Sequence, residues 1–431
     1  MSRSGLGRDD RRALAAVAAQ FFVNGAIFAS YVPRLPEIRD RVDVSLGTLG
    51  ALLAFAAAAG LAGSATVGAL IDRFGSRRVL VAAALGLTAA LAVVGSADVV
   101  AVLVVGLVGL AVLDVYVDSA MNLQGSWVSA RRSTPVMNRL HGLWSLGTVV
   151  GGFAATRVAE AGISLTAHLY VVALLMLLVV AAVSRGLLRS DEGADRAEGP
   201  GRDEAEADGA AERDGAGDER EAVGGRGSVD PGVAVPSPTD VRRRRVPTVL
   251  VLLGLAGACS IAMEQTSSDW AAFRLSDDLG VRVGVAGLAY VAFTAGMTIG
   301  RFGGDAAIVR FGREEVFRAA IGLTVVALVV ASFAPDRWVV IVAYGVAGLG
   351  VATQFPKLYD DAARHRGVTG AGLGALTGGS RVAMLVTPAL VGVLADTSLG
   401  VGTATAVVTV PAAIAFVVVS RRAGRRPNAT R

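Results

Sequence analysis

Runs of about 20 apolar residues recur along almost the whole chain, and short segments rich in charge separate them. Each run is long enough to cross a hydrocarbon core of ~30 Å. The apolar positions within a run are continuous rather than alternating, which excludes the strand pattern of an outer-membrane barrel. Twelve spans are predicted. Six cover 13–32, 48–71, 79–95, 99–122, 141–161 and 165–183, and six cover 246–268, 283–308, 316–334, 338–355, 371–394 and 403–419. Backbone groups facing lipid must be satisfied within their own segment, so all twelve are expected to be helices. The first run is expected to stay as a spanning helix, since it is too long for a signal h-region. Residues 185–245 break the pattern. They are rich in Gly, Ala, Asp, Glu and Arg, hold almost no large apolar side chain, and are expected to form a disordered linker. The linker ends in Arg242–Arg245, a basic run that reads as an anchor against anionic lipid.

The predicted fold is therefore an all-α polytopic membrane protein. Its expected parts are a six-helix bundle over 1–184, the linker 185–245, a second six-helix bundle over 246–420 and a cytoplasmic tail, 421–431. Composition agrees: 53% of residues are hydrophobic and 18% are charged, against about 25% charged in soluble domains. The net charge of +5 does not point to nucleic acid, because the basic residues lie between apolar runs rather than in one patch. Instead they mark topology. Even without the linker, Lys and Arg favour the loops on one side more than three to one, which puts both termini and the linker in the cytoplasm. Cys259, the one cysteine, falls in an apolar run and reads as a small core residue. The three histidines and that cysteine form no ligand-spaced cluster, so no metal is expected. No phosphate loop or nucleophile elbow is present, so neither ATP coupling, a cofactor nor an enzyme is predicted.

The two sets of six spans repeat one another. Arg73-Phe74-Gly75 follows the second span and Arg310-Phe311-Gly312 follows the eighth, an offset of 237 residues. Gly109-Leu110-Ala111-Val112 in the fourth span matches Gly348-Leu349-Gly350-Val351 in the tenth, an offset of 239. Parallel six-helix halves around a midplane site are a known transporter architecture. The stretch Gly68-Ala-Leu-Ile-Asp72-Arg73-Phe-Gly75-Ser-Arg77-Arg78 resembles the loop signature of the major facilitator superfamily. That resemblance implies alternating access, with Gly68, Asp72, Arg73, Gly75 and Arg77 in a cytoplasmic latch. Arg301, Asp305, Arg310 and Gly312 would form its second-half counterpart.

A narrower resemblance rests on Arg34-Leu35-Pro36-Glu37-Ile38, Asp118-Ser-Ala-Met-Asn122, His141-Gly-Leu-Trp144-Ser145-Leu-Gly147, Glu264 and Asp269-Trp270. Together these are similar to the fucose-permease-like branch, many members of which are proton-coupled sugar carriers. The chain departs from that pattern in its first span, which carries Gln20 and Asn24 where the fucose permeases have a carboxylate. It also lacks the proline of the fifth-span pattern in drug/proton antiporters, although Gly147, Gly151 and Gly152 are there.

Charged groups inside the hydrocarbon cost at least ~2.5–3.5 kcal/mol each, so each needs a reason. Asp114 and Asp118 are four residues apart and share a helix face with Asn122. Two carboxylates that close repel, and burial opposes ionisation, so the pair suits reversible proton binding. Glu264 and Arg381 fall on spans that would line the cavity, where Arg381 needs an acid, such as Glu264, or an anionic or hydroxylated solute. Gln20, Asn24, Trp144, Gln265 and Gln354 could line the same cavity, since sugar sites use amides and aromatic faces. His141 reads as a helix-end residue, and Arg157 with Glu160 as a local surface pair. The expected function is secondary active transport of a small polar solute, a sugar or polyol, across the cytoplasmic membrane. Protons and membrane lipids are the other partners, nucleic acid is not one, and the chain is expected to act as a monomer. Two alternatives stand beside it: a proton-coupled exporter of drugs or metabolites, and a non-transporting membrane sensor acting through the linker.

Overall fold

A computed structural model describes residues 8–132, 136–189, 247–364 and 369–423, with a few side chains among them, Asp305 included, left undescribed. Most of the predicted linker, and Arg242–Arg245, lie outside the described residues. Twelve long helices occur among those described. They are α1 (Arg8–Tyr31), α2 (Leu46–Ser64), α3 (Ser76–Gly95), α4 (Val100–Arg132), α5 (Met137–Glu160) and α6 (Leu165–Val183), then α7 (Thr248–Ser276), α8 (Leu288–Phe311), α9 (Arg313–Phe333), α10 (Arg337–Val351), α11 (Thr369–Ala395) and α12 (Gly400–Ala423). Eleven helical segments are long and apolar enough to cross a membrane, and α5 is the long helix that falls short. Its polar load explains this: Arg139, His141, Ser145, Thr148, Thr156, Arg157 and Glu160 all lie on it. It is nonetheless packed along α1.

The sequence repeat recurs in the packing. The first and fifth helices cross with almost no space between them: a Cβ on Gly147 would lie 2.2 Å from the Phe22 carbonyl oxygen. The seventh and eleventh cross the same way, with Gly379 against the Gly254 carbonyl. Small residues let backbones approach closely where lipid offers no hydrophobic drive for helices to associate. The two Arg-Phe-Gly turns are also alike. Gly75 (φ 81°, ψ 147°) and Gly312 (φ 87°, ψ 148°) each end one helix and begin the next, in a conformation that favours glycine. In both, the arginine lies over its neighbouring ring, at 5.2 Å for Arg73 on Phe74 and 5.3 Å for Arg310 on Phe311.

Three predicted spans are interrupted. The second stops at Ser64 and resumes as Val67–Phe74. The Ser64 and Thr66 hydroxyls donate to the Leu61 and Gly63 carbonyls at 2.6 and 2.8 Å, competing with the helix ladder. The eighth begins as Val283–Ala286, and Gly287 separates that turn from α8. The tenth ends at Val351 and resumes as Gln354–Arg364, where Pro356 offers no N–H to the Ala352 carbonyl. The start of the predicted linker is ordered as well. Leu187 and Leu188 are buried, and Gln124 ties Leu188 down by accepting from its N–H (2.9 Å) and donating to its carbonyl (2.8 Å). These two are the only leucines between residues 185 and 245.

One end of the molecule is closed. The start of α2 crosses the end of α11 so tightly that a Cβ on Gly50 would lie 2.3 Å from the Pro388 carbonyl oxygen, and the Gly47 N–H donates to Asp396 at 2.8 Å. Trp270, Phe273, Tyr290 and Val391 join Tyr31, Val32, Leu35 and Leu49 in one buried apolar cluster there. Arg39, on the short helix Leu35–Val42, pairs with Asp277 at the end of α7 and lies over Phe273 at 5.5 Å. The opposite end is open: Asp72, Arg73, Phe74, Arg310 and Phe311 are exposed.

Candidate functional site

A cavity of about 1260 Å³ lies between the first and second sets of six helices, walled by α1, α4 and α5 on one side and α7, α8, α9 and the segment after α10 on the other. On the first wall three helices meet in one hydrogen-bonded chain. The Trp144 indole N–H donates to the Asn24 carbonyl oxygen at 2.7 Å, and the Asn24 amide donates to Asp114 at 2.7 Å. Asn24 thus makes one bond at each end of its amide, which leaves one N–H and one lone pair over, and it fixes one oxygen of Asp114. One turn along α4, Asp118 also faces the cavity and accepts from the Asn122 amide at 3.0 Å. His141, at the start of α5, is on the same wall and packs edge-on to Phe21 at 5.2 Å.

The second wall carries a cation and an acid side by side. Arg301 of α8 donates to the Ser145 hydroxyl across the cavity at 3.2 Å and stands 3.8 Å from the Glu264 carboxylate of α7. Phe302, next to it, presses on Gly142 of α5. Towards the open end lie Arg139, Arg313, Phe317 and Lys357. Lys357 is buried, pairs with Asp361 at 2.5 Å, and sits 4.5 Å from the centre of the Phe317 ring. It is the only lysine in a chain with 40 arginines.

Of the residues singled out from the sequence, Asn24, Asp114, Asp118, Trp144 and Glu264 line this cavity. Asn122 reaches Asp118 without lining it. Gln20 is buried elsewhere and neither of its amide atoms finds a hydrogen-bond partner among the described residues. Gln354 is fully buried behind the wall, held by the Ser260 hydroxyl at 2.9 Å. Gln265 is also off the wall, and its side-chain oxygen is buried without a hydrogen-bond partner among the described residues. Arg381, on α11, is half-buried off the wall, and no acid pairs with it among the described residues. The cation facing Glu264 is Arg301, which corrects both the possible Glu264–Arg381 pairing and the placing of Arg301 with the loop latch. Gly68, Asp72, Arg73, Gly75, Arg77, Arg310 and Gly312 all lie at the open end, and none of the charged ones makes an ion pair among the described residues. Asp305 has no described side chain.

Several wall residues escaped the sequence reading: Ser145, Arg139, Lys357 and, as a wall residue, His141. Only Lys357 left a compositional mark, as the lone lysine. Asp269, beside the buried Trp270, is at the closed end near Tyr31 and Tyr290.

Residues 17–271, more than half of the chain, match the sequence profile of the Major Facilitator Superfamily. The chain belongs to the major facilitator superfamily. It is a multi-pass membrane transporter of that kind, acting on a small-molecule solute. An uncharacterised transporter of Sinorhizobium fredii is 25% identical over 384 residues, covering 88% of this chain and 90% of the relative. The membrane protein MosC of Rhizobium meliloti is 23% identical over 392 residues, covering 91% and 85%. Among solved structures, a bacterial homologue of the human lysosomal transporter Spinster, inward-facing and occupied, superposes with a TM-score of 0.68 at 14% identity, covering 99% of this chain and all of the other. The nucleoside transporter NupG superposes at 0.66 with 11% identity, covering 95% and 98%. These likenesses show that the superfamily fold is shared.

Proposed function

We propose that the protein is a proton-coupled carrier of a small hydroxylated solute, a sugar or polyol of the kind carried in the fucose-permease-like branch. The cavity between the six-helix halves, 1–184 and 246–420, is its transport site. In this reading the closed end faces outward and the open end faces the cytoplasm, with both termini, so the conformation is inward-facing. The inward-facing Spinster homologue among the structural neighbours supports that orientation. The observation that carries the proposal is the Trp144–Asn24–Asp114 chain, which joins three helices on the cavity wall. An amide and an indole hold one acid, while Asp118, a turn away, remains within reach of water in the cavity. Asp118 and Asp114 carry the proton, and Asn24 and Trp144 offer a hydrogen-bonding edge and an aromatic face to the solute. Asp72, Arg73, Arg77 and Arg310 close the cytoplasmic end when the halves rock.

Six aromatic side chains on the wall, Phe28, Trp144, Phe302, Phe317, Phe355 and Tyr359, favour a second reading: export of an amphiphilic metabolite through the same cavity. One experiment separates the two. In proteoliposomes holding a trapped pH dye, sugars, polyols and amphiphilic cations are added in turn without an imposed gradient. Carrier-type symport gives solute-driven proton uptake, and Asp118→Asn abolishes it. Proton movement opposite to the solute establishes the exporter. Solute equilibration with no proton movement removes Asp118 from its role.

A further inference from the structure

The wall opposite Asp114 is built around an arginine that makes few bonds among the described residues. A guanidinium has five N–H donors. Among the described residues, Arg301 places one on Ser145 at 3.2 Å and stands 3.8 Å from Glu264, beyond hydrogen-bonding range. Its side chain is 38% exposed, and that exposure is to the cavity it lines. An arginine held midway along a membrane helix needs a strong partner, and Glu264 at this separation is a loose one. The planar fork suits two parallel bonds to a carboxylate or phosphate, which neither Ser145 nor Glu264 supplies.

We propose that the transported solute carries an anionic group, carboxylate or phosphate, that this group binds Arg301, and that Glu264 stands in for it when the cavity is empty. The inference rests on reading the cavity as the transport site and narrows the solute to an acidic member of the hydroxylated class. Three further observations fit it. Arg139 lies along the same cavity towards the open end, where an entering anion meets it before Arg301, while Lys357 there is already paired with Asp361. Asn24 and Trp144 stand on the facing wall, where they meet the uncharged body of a solute anchored at Arg301. Arg301 also bridges the halves through Ser145 of α5. A group bound there touches both halves at once, which is what couples occupancy to rocking.

The test is equilibrium binding to the purified full-length protein, read by tryptophan fluorescence, with D-glucose, D-gluconate, D-glucuronate and D-glucose 6-phosphate as matched probes. At least one charged probe is expected to bind about tenfold or more tightly than glucose. Which one binds separates carboxylate from phosphate. Arg301→Gln is expected to erase the preference, and Arg301→Lys to keep part of it, since a point charge replaces the fork. Glu264→Gln, which removes the stand-in, is expected to tighten the charged probe several-fold, a gain that misfolding cannot produce. Glucose binding as tightly as the charged probes, a preference that survives Arg301→Gln, or no charged probe binding at millimolar concentration would each overturn the inference. Liposome flux of the same probes tests the transport reading separately. A probe that binds through Arg301 but never crosses sinks that reading and leaves this one. A neutral solute that crosses equally well in Arg301→Gln does the reverse.

Discussion

At the scale of single residues, Asn24 is the most constrained polar group in the cavity. Its two bonds, to Trp144 and Asp114, come from different helices, so an apolar replacement leaves a donor and a carboxylate unmet. Asn24→Ala is expected to cost about 1–3 kcal/mol of stability and to lower solute uptake at least tenfold. A melting curve paired with a flux assay checks both, and unchanged flux would mean that the chain is structural only. The residues of this network were legible in the sequence because each is a polar group inside an apolar run. Gln20, Gln354 and Arg381 met the same criterion, yet they lie off the wall. Polarity within a span shows that a group needs a partner; it does not show which side of the helix the partner is on. Arg301 illustrates the same limit, since its partners Ser145 and Glu264 lie 156 and 37 positions away and come together only through packing.

At the scale of helices, the closed end depends on glycine. A side chain at Gly50 has no room, because its first carbon would already lie 2.3 Å from the Pro388 carbonyl oxygen. Gly50→Leu is therefore expected to push α2 away from α11 and open the closed end. In a Cys259→Ser background, a membrane-impermeant maleimide applied from that side should reach Phe28→Cys only when Gly50→Leu is also present. Equal labelling in both would mean that the crossing is not what seals the cavity. The helices themselves were readable from run length alone, since a hydrocarbon core dictates how long an apolar segment must be. Their interruptions were not. The breaks after Ser64 and Val351 arise from hydroxyls bonding back to carbonyls and from one missing proline N–H, which hydropathy does not register.

At the scale of the whole molecule, the structure is one of two states that a carrier must visit, and the contacts at the closed end, apolar and polar, set the balance. The pair Arg39–Asp277 joins the segment after α1 to the end of α7, with each side chain mostly shielded from water. Arg39→Glu is expected to shift the population away from the state with this end closed by up to about fivefold, the effect of ~1 kcal/mol. Arg39→Glu combined with Asp277→Arg should restore it. Single-molecule distance measurements across that end read the shift, and a double variant no better than the single one would remove the pair from the balance. The duplication was visible in advance as two Arg-Phe-Gly turns 237 residues apart, and the two turns share one backbone conformation. The direction in which the cavity opens was not legible, because both states are written with the same residues.

The lone lysine has a practical consequence. Every other basic side chain is an arginine or a histidine, so Lys357 is the one side-chain amine the protein offers to acylating reagents. It stands on the cavity wall near the open end, shielded by Asp361 and Phe317. Nature has in effect supplied a single-site chemical probe at the doorway of the carrier. Because the amine is buried against Asp361 and Phe317 even with this end open, the rate at which it is modified reports how often the segment after α10 releases it, without any engineered label.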